Sequence, residues 1–119
     1  MDDDREIREL LQELLQEEGF RPDCVADGAA ALQFYRQALE EGAPYDCVIM
    51  DLTIPGGMGG KEAISRLRMI DPGVRAIVSS GYSNDPVMSD FSAHGFKGRV
   101  AKPYRLEDLI AVLNRVLDS

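Results

Sequence analysis

Two short runs, DCVIMD at 46–51 and RAIVSS at 75–80, constrain the fold of this chain more than any other feature. Each is apolar almost throughout, lies between turn signals, and ends on a polar side chain. A strand with no polar face must be covered on both sides, which is the situation inside a parallel sheet. Parallel neighbours cannot be joined by a hairpin and need a helical crossover. The flanking sequence supplies such helices. Ile7, Leu10, Leu11, Leu14 and Leu15 recur at helical spacing, predicting a first helix over roughly Asp4–Glu18 that stops at Gly19. Asp27 is placed to cap a second helix, AAALQFYRQALEE, ended by Gly42 and Pro44. KEAISRLRMI follows Gly60 as a third, and a fourth is expected over 84–94, opening on Asn84 or Asp85 with Pro86 in the first turn. Leu106, Leu109, Ile110, Leu113, Val116 and Leu117 mark the last. DCVA at 23–26 and GRVAKPY at 98–104 read as two further short strands. The alternation predicts an α/β fold with a doubly wound parallel sheet, in one domain spanning 1–119.

Composition bears on partners and surroundings. Thirteen Lys and Arg against 21 Asp and Glu give a net charge of −8, which argues against direct contact with nucleic acid. Cys24 and Cys47 sit among apolar residues with no CxxC or Cys/His spacing, so they read as reduced core residues of a cytoplasmic protein. No apolar stretch approaches the ~18–20 residues of a membrane helix, and MDDDRE is unlike a signal peptide.

In a sheet of this kind ligands bind beyond the carboxyl ends of the strands. Read in order, those ends carry Asp51, then Ser79 and Ser80, then Lys102, while Asp2, Asp3 and Asp4 lead into the first helix. A lone Asp after a strand is usually a turn former, and an acidic start is usually a solvated helix cap. The joint occurrence at the ends of one sheet carries more weight. Carboxylates gathered within a few ångströms stay ionised only beside a cation, and Mg2+ suits oxygen ligands with several retained waters. With its neighbours so masked, Asp51 could attack phosphorus and form an aspartyl phosphate, whose oxygens Lys102 and Ser80 would bind.

These segments resemble the receiver domains of bacterial two-component response regulators and hybrid sensor kinases. MDDDREIRELL is similar to the family's acidic pair and first helix, VIMDLTIPGGMGGKEAI to its phosphoacceptor segment, AIVSSGYS to the segment with its switch hydroxyl, and VAKPY to that of its lysine. DLTIPGGMGG and SSGYSND look most like receivers attached to hybrid sensor histidine kinases. The resemblance implies a flavodoxin-like fold of strand order 2-1-3-4-5. It implies Asp51 as phosphoacceptor, with Ser80 and Lys102 beside it. It also implies Mg2+ held by Asp3, Asp51 and the Thr53 backbone carbonyl, with Asp2 acting mainly through a water. The phosphoryl donor would be a sensor histidine kinase or its phosphohistidine domain. A downstream protein would read the face made by the family's fourth helix, fifth strand and fifth helix. Alone, such a chain is an autocatalytic phosphoacceptor rather than an enzyme. A cis Lys102–Pro103 bond is implied, and Thr53 and Tyr82 fall where the family tunes phosphate lifetime.

Two departures stand out. Arg99 occupies the position of the family's aromatic switch residue, and a guanidinium cannot bury as a ring does. Only Met1 precedes Asp2, so the family's central first strand is expected to be missing from this chain, leaving backbone groups of its neighbours to be satisfied. A truncated start, or a strand recruited from a second copy in a homodimer, would account for this. His94, the sole histidine, reads as a surface residue, and the glycines at 56, 57, 59 and 60 as steric relief beside Asp51, since no GKS/T follows them. A pseudo-receiver that binds partners without phosphorylation is one rival. A haloacid-dehalogenase-like phosphatase is the other, although it would want an acid where Thr53 stands.

Overall fold

The computed structural model describes residues 1–81 and 84–118. Five α-helices and three strands alternate along them: α1 (Arg5–Glu17), α2 (Gly28–Glu40), β1 (Val48–Asp51), α3 (Gly60–Ile70), β2 (Ala76–Ser80), α4 (Pro86–Ser89), β3 (Gly98–Ala101) and α5 (Leu106–Leu117), with a 3-10 turn at Phe91–His94. Local chemistry sets several boundaries. The Asp4 carboxylate accepts hydrogen bonds from the backbone N–H groups of Glu6 and Ile7 at the start of α1, and Asp27 does the same for Ala30 in α2. Asp85 caps α4 by accepting from Val87 N–H, with Pro86 in the first turn.

The strands are parallel in the order β1-β2-β3. Met50 lies opposite Val78 and Asp51 opposite Ser79, while Ser79 pairs with Val100 and Ser80 with Ala101. β2 is buried along its whole length, as its uninterrupted apolar run requires. Its period of two divides the core. Ala76 and Val78 pack with Tyr35, Ile64, Leu67, Met88 and Phe96 on the side of α2, α3 and α4. Ile77 faces the other way, among Leu11 and Leu15 of α1 and Leu109, Leu113 and Val116 of α5. Each such aliphatic side chain contributes about 1.5–3 kcal/mol on burial, so the two layers together hold the carboxyl edge of the sheet in place.

The observed fold corrects two expectations. DCVA is not a strand: a strand needs a ladder of backbone bonds, and among the described residues this segment has the single bond that Asp2 makes to Val25. Asp2 N–H donates to the Val25 carbonyl (3.1 Å), the Met1 amino group donates to the Ile49 carbonyl (2.7 Å), and Asp51 N–H donates to the Met1 carbonyl (3.0 Å). Met1 and Asp2 thus stand between the 24–25 segment and β1, satisfying part of what a longer first strand would. Among the described residues the order 2-1-3-4-5 is realised in its last three strands, β1, β2 and β3. The helix expected over 84–94 is also divided. Ser89 Oγ donates to the Pro86 carbonyl (3.2 Å), Asp90 leaves helical geometry at ψ 55°, and the chain continues as the 3-10 turn.

Candidate functional site

The strands end in register at the carboxyl edge of the sheet, Asp51 opposite Ser79 and Ser80 opposite Ala101, so Asp51, Ser80 and Lys102 lie along one edge. Lys102 follows β3 directly, and its N–H donates to the Ser80 carbonyl (3.0 Å). The Lys102–Pro103 bond is cis. The Lys102 ammonium reaches back across the edge to donate to Asp51 Oδ2 at 2.9 Å and lies 2.6 Å from Asp2 Oδ2. Asp2 and Asp51 are buried, at 2% and 7% exposure, whereas Asp3 is exposed. Ser80 is buried at the end of β2, and Thr53 is exposed with its N–H 3.5 Å from Asp51 Oδ1.

The electrostatics follow from this packing. Burial raises the Asp51 carboxyl above the ordinary carboxylate range, opposed by its hydrogen bond and charge contact with Lys102. Burial alone would lower the Lys102 ammonium, yet the hydrogen bonds and charges of Asp2 and Asp51 outweigh it and hold the group above its usual value. The Met1 amino group is nearby but committed to the Ile49 carbonyl, and burial lowers its affinity for the proton. It is a weak second counter-charge.

Asp2, Asp3 and Asp51 each offer a carboxylate oxygen, and these oxygens lie within 4.8 Å of one another. Asp2 Oδ2 is buried and faces the Lys102 ammonium at 2.6 Å. Three carboxylates against one ammonium, all hard oxygen donors, with Asp3 open to solvent where waters can complete a shell, fit a magnesium ion.

The loop after Asp51 is shaped by contact. A Cβ on Gly59 would fall 2.3 Å from the Leu52 carbonyl oxygen, and Gly56 sits at φ +71°. Both positions require glycine, the first for space and the second for backbone conformation.

Three features were not read from the sequence. Asp2 makes the shorter of the two contacts to Lys102. Ser79, fully buried, shares a 2.5 Å hydrogen bond with the Tyr104 hydroxyl, foreshadowed only by the doubled serine of AIVSS and the tyrosine after Lys-Pro. His94 is half-buried beside α3 instead of lying free on the surface. Arg99 is exposed, and its Nη1 donates to the Met88 carbonyl in α4 (2.8 Å). Tyr82 lies outside the described residues.

Residues 1–114 match the family described as response regulator receiver domain. The chain is 28% identical over 117 residues to sporulation initiation phosphotransferase F of Bacillus subtilis, covering 98% of this chain and 90% of that protein. The response regulator TrrA of Thermotoga maritima, solved in complex with Mg2+ and BeF, superposes at a TM-score of 0.79 with 31% identity, covering 97% of this chain and 93% of that one. CheY in the CheX–CheY–BeF3–Mg2+ complex of Borrelia burgdorferi reaches 0.85 with 26% identity, over 97% and 84%. Among the described residues no helix is long and apolar enough to cross a membrane.

Proposed function

This chain belongs to the response regulator receiver family, signalling modules of two-component systems, and from that membership we propose that Asp51 is its phosphoacceptor. A carboxylate oxygen of Asp51 attacks the phosphorus of a phosphohistidine on a sensor histidine kinase or its phosphohistidine domain. The P–N bond breaks, the imidazole leaves with the electron pair and takes a proton, and an acyl phosphate forms. Such a transfer needs positioning and charge neutralisation more than covalent help. The observation that carries the reading is the Lys102 ammonium 2.9 Å from Asp51 Oδ2, within reach of an oxygen of the new phosphoryl group. Ser80, buried one residue beyond the strand partner of Asp51, offers its hydroxyl to another. Asp3, Asp51 and the Thr53 carbonyl would hold Mg2+, with Asp2 acting mainly through a water. The ion, when bound, neutralises the developing phosphoryl charge.

The new dianion would draw Ser80 and Lys102 toward it and bias the packing of α4, β3 and α5, the face offered to a downstream protein. We place this exchange in the cytoplasm, consistent with two free cysteines. Incubation with acetyl phosphate and Mg2+, followed by intact-mass measurement, tests the assignment. One phosphoryl group should be gained by the native chain and none by Asp51→Asn. A native chain that gains nothing is a pseudo-receiver.

A further inference from the structure

A groove of about 880 Å³ runs between α3 and the 3-10 turn, lined by residues outside α4, β3 and α5. Lys61, Ser65 and Arg68 line it from one side of α3, at the helical spacing of four and three residues, and His94 closes it from the turn. Its charge is opposite to that of the molecule. The chain carries −8, yet among the described residues neither Lys61 nor Arg68 has a carboxylate partner, and the one lining acid, Glu62, is engaged by Arg66 at 3.4 Å.

Arg68 is also seated in its place. Gly95 closes the turn at φ +96°, and a Cβ there would meet Arg68 Cδ at 2.7 Å, so the arginine stem lies where any other residue would put a side chain. Beside these cations Met69 is 85% exposed, the most exposed large apolar side chain among the described residues. The far end of the groove is formed by Leu52 and Gly59, from the loop that follows Asp51.

We propose that this groove docks an acidic segment of a partner protein that also carries an apolar side chain. Charge complementarity selects the acid, with Lys61 and Arg68 as its counter-charges, and Met69 offers an adaptable apolar contact. A polyanion such as nucleic acid or an anionic membrane would meet the repulsion of the whole acidic surface, whereas a short segment feels the local groove, since charges beyond the ~8–10 Å screening length matter little. A seated segment would touch the Leu52–Gly59 loop. The inference does not depend on chemistry at Asp51.

The test is an amide chemical-shift titration of the full chain with a synthetic peptide in which Glu and Leu recur at helical spacing, beside its counterpart with every Glu replaced by Gln. Saturable shifts are expected over 61–69 and at His94 with the Glu peptide. Affinity should drop at least about tenfold in Lys61→Glu/Arg68→Glu and fall with added salt. Met69→Ser, at an exposed position that leaves the core intact, should weaken binding as well. The proposal is overturned if the Gln peptide binds equally well, if shifts map to α4, β3 and α5, if the double variant binds unchanged, or if inorganic phosphate or an oligonucleotide saturates the groove as tightly as the peptide.

Discussion

Lys102 and Asp2 form the closest ion pair among the described residues, 2.6 Å between the ammonium and Oδ2, closer than Lys102 stands to Asp51. The lysine is therefore a structural counter-ion as well as a candidate phosphate ligand. Lys102→Met would leave two buried carboxylates without their cation. It should cost roughly 3 kcal/mol in urea unfolding at neutral pH without Mg2+. Asp2→Asn/Lys102→Met should lose less than the lysine variant alone, because one fewer charge is stranded.

Excess negative charge predicts a metal response. Mg2+ would bind the folded pocket in preference to the dispersed acids of the unfolded chain, so it should raise the melting temperature in a concentration-dependent way. Calorimetry of Asp51→Asn should show most of this rise abolished, and Asp3→Asn should reduce it. Asp90→Asn, which removes a carboxylate remote from the cluster, should leave it intact.

Cys47 gives a pH dependence that does not involve the site. Burial pushes its thiol up to about 11 from the ordinary 9.0. Well below pH 9 the thiol is neutral in both folded and unfolded chains and stability is unaffected. Between pH 9 and 11 the unfolded chain ionises first, so stability falls as pH rises, by roughly 1 kcal/mol at pH 10. Denaturant unfolding at pH 8 and pH 10 should show that part of the loss disappear in Cys47→Ala.

Arg99 links β3 to α4 through the Met88 carbonyl at 2.8 Å. Arg99→Ala removes that donor from α4, a helix only four residues long that is otherwise held by its buried Val87 and Met88. Hydrogen exchange at Ser89 and Asp90 should speed up by the equivalent of up to about 1 kcal/mol, with β2 amides unchanged. Arg99 thus acts as a tether on the helix.

The parallel sheet was readable because DCVIMD and RAIVSS admit little else, and the helices because their apolar spacing and caps agree. The strand ends then placed Asp51, Ser80 and Lys102 on one edge, where the Lys102 ammonium lies 2.9 Å from Asp51 Oδ2. Asp2 was harder. Its role depends on which of two adjacent acids turns inward, and backbone bonds from Met1 and Asp2 to Ile49, Asp51 and Val25 decide that. DCVA failed as a strand for the same reason, since pairing belongs to the neighbour and not to the segment. The break at Asp90 was hidden because Ser89 and Asp90 resist helix only weakly, and tertiary packing of Val87 and Met88 makes the choice. Ser79 and Tyr104 could not be joined from sequence, as 25 residues separate them.

The bond between Tyr104 and Ser79 has a consequence for timing. With Tyr104 anchored on one side and the Lys102 N–H fixed to Ser80 on the other, the main chain around the lysine is already immobile before any donor arrives. Its four-carbon arm is held in turn by Asp2 and Asp51. Most of the entropy of aiming that positive charge is thus spent during folding, and in the proposed transfer an incoming phosphoryl group would meet an ammonium on a short leash.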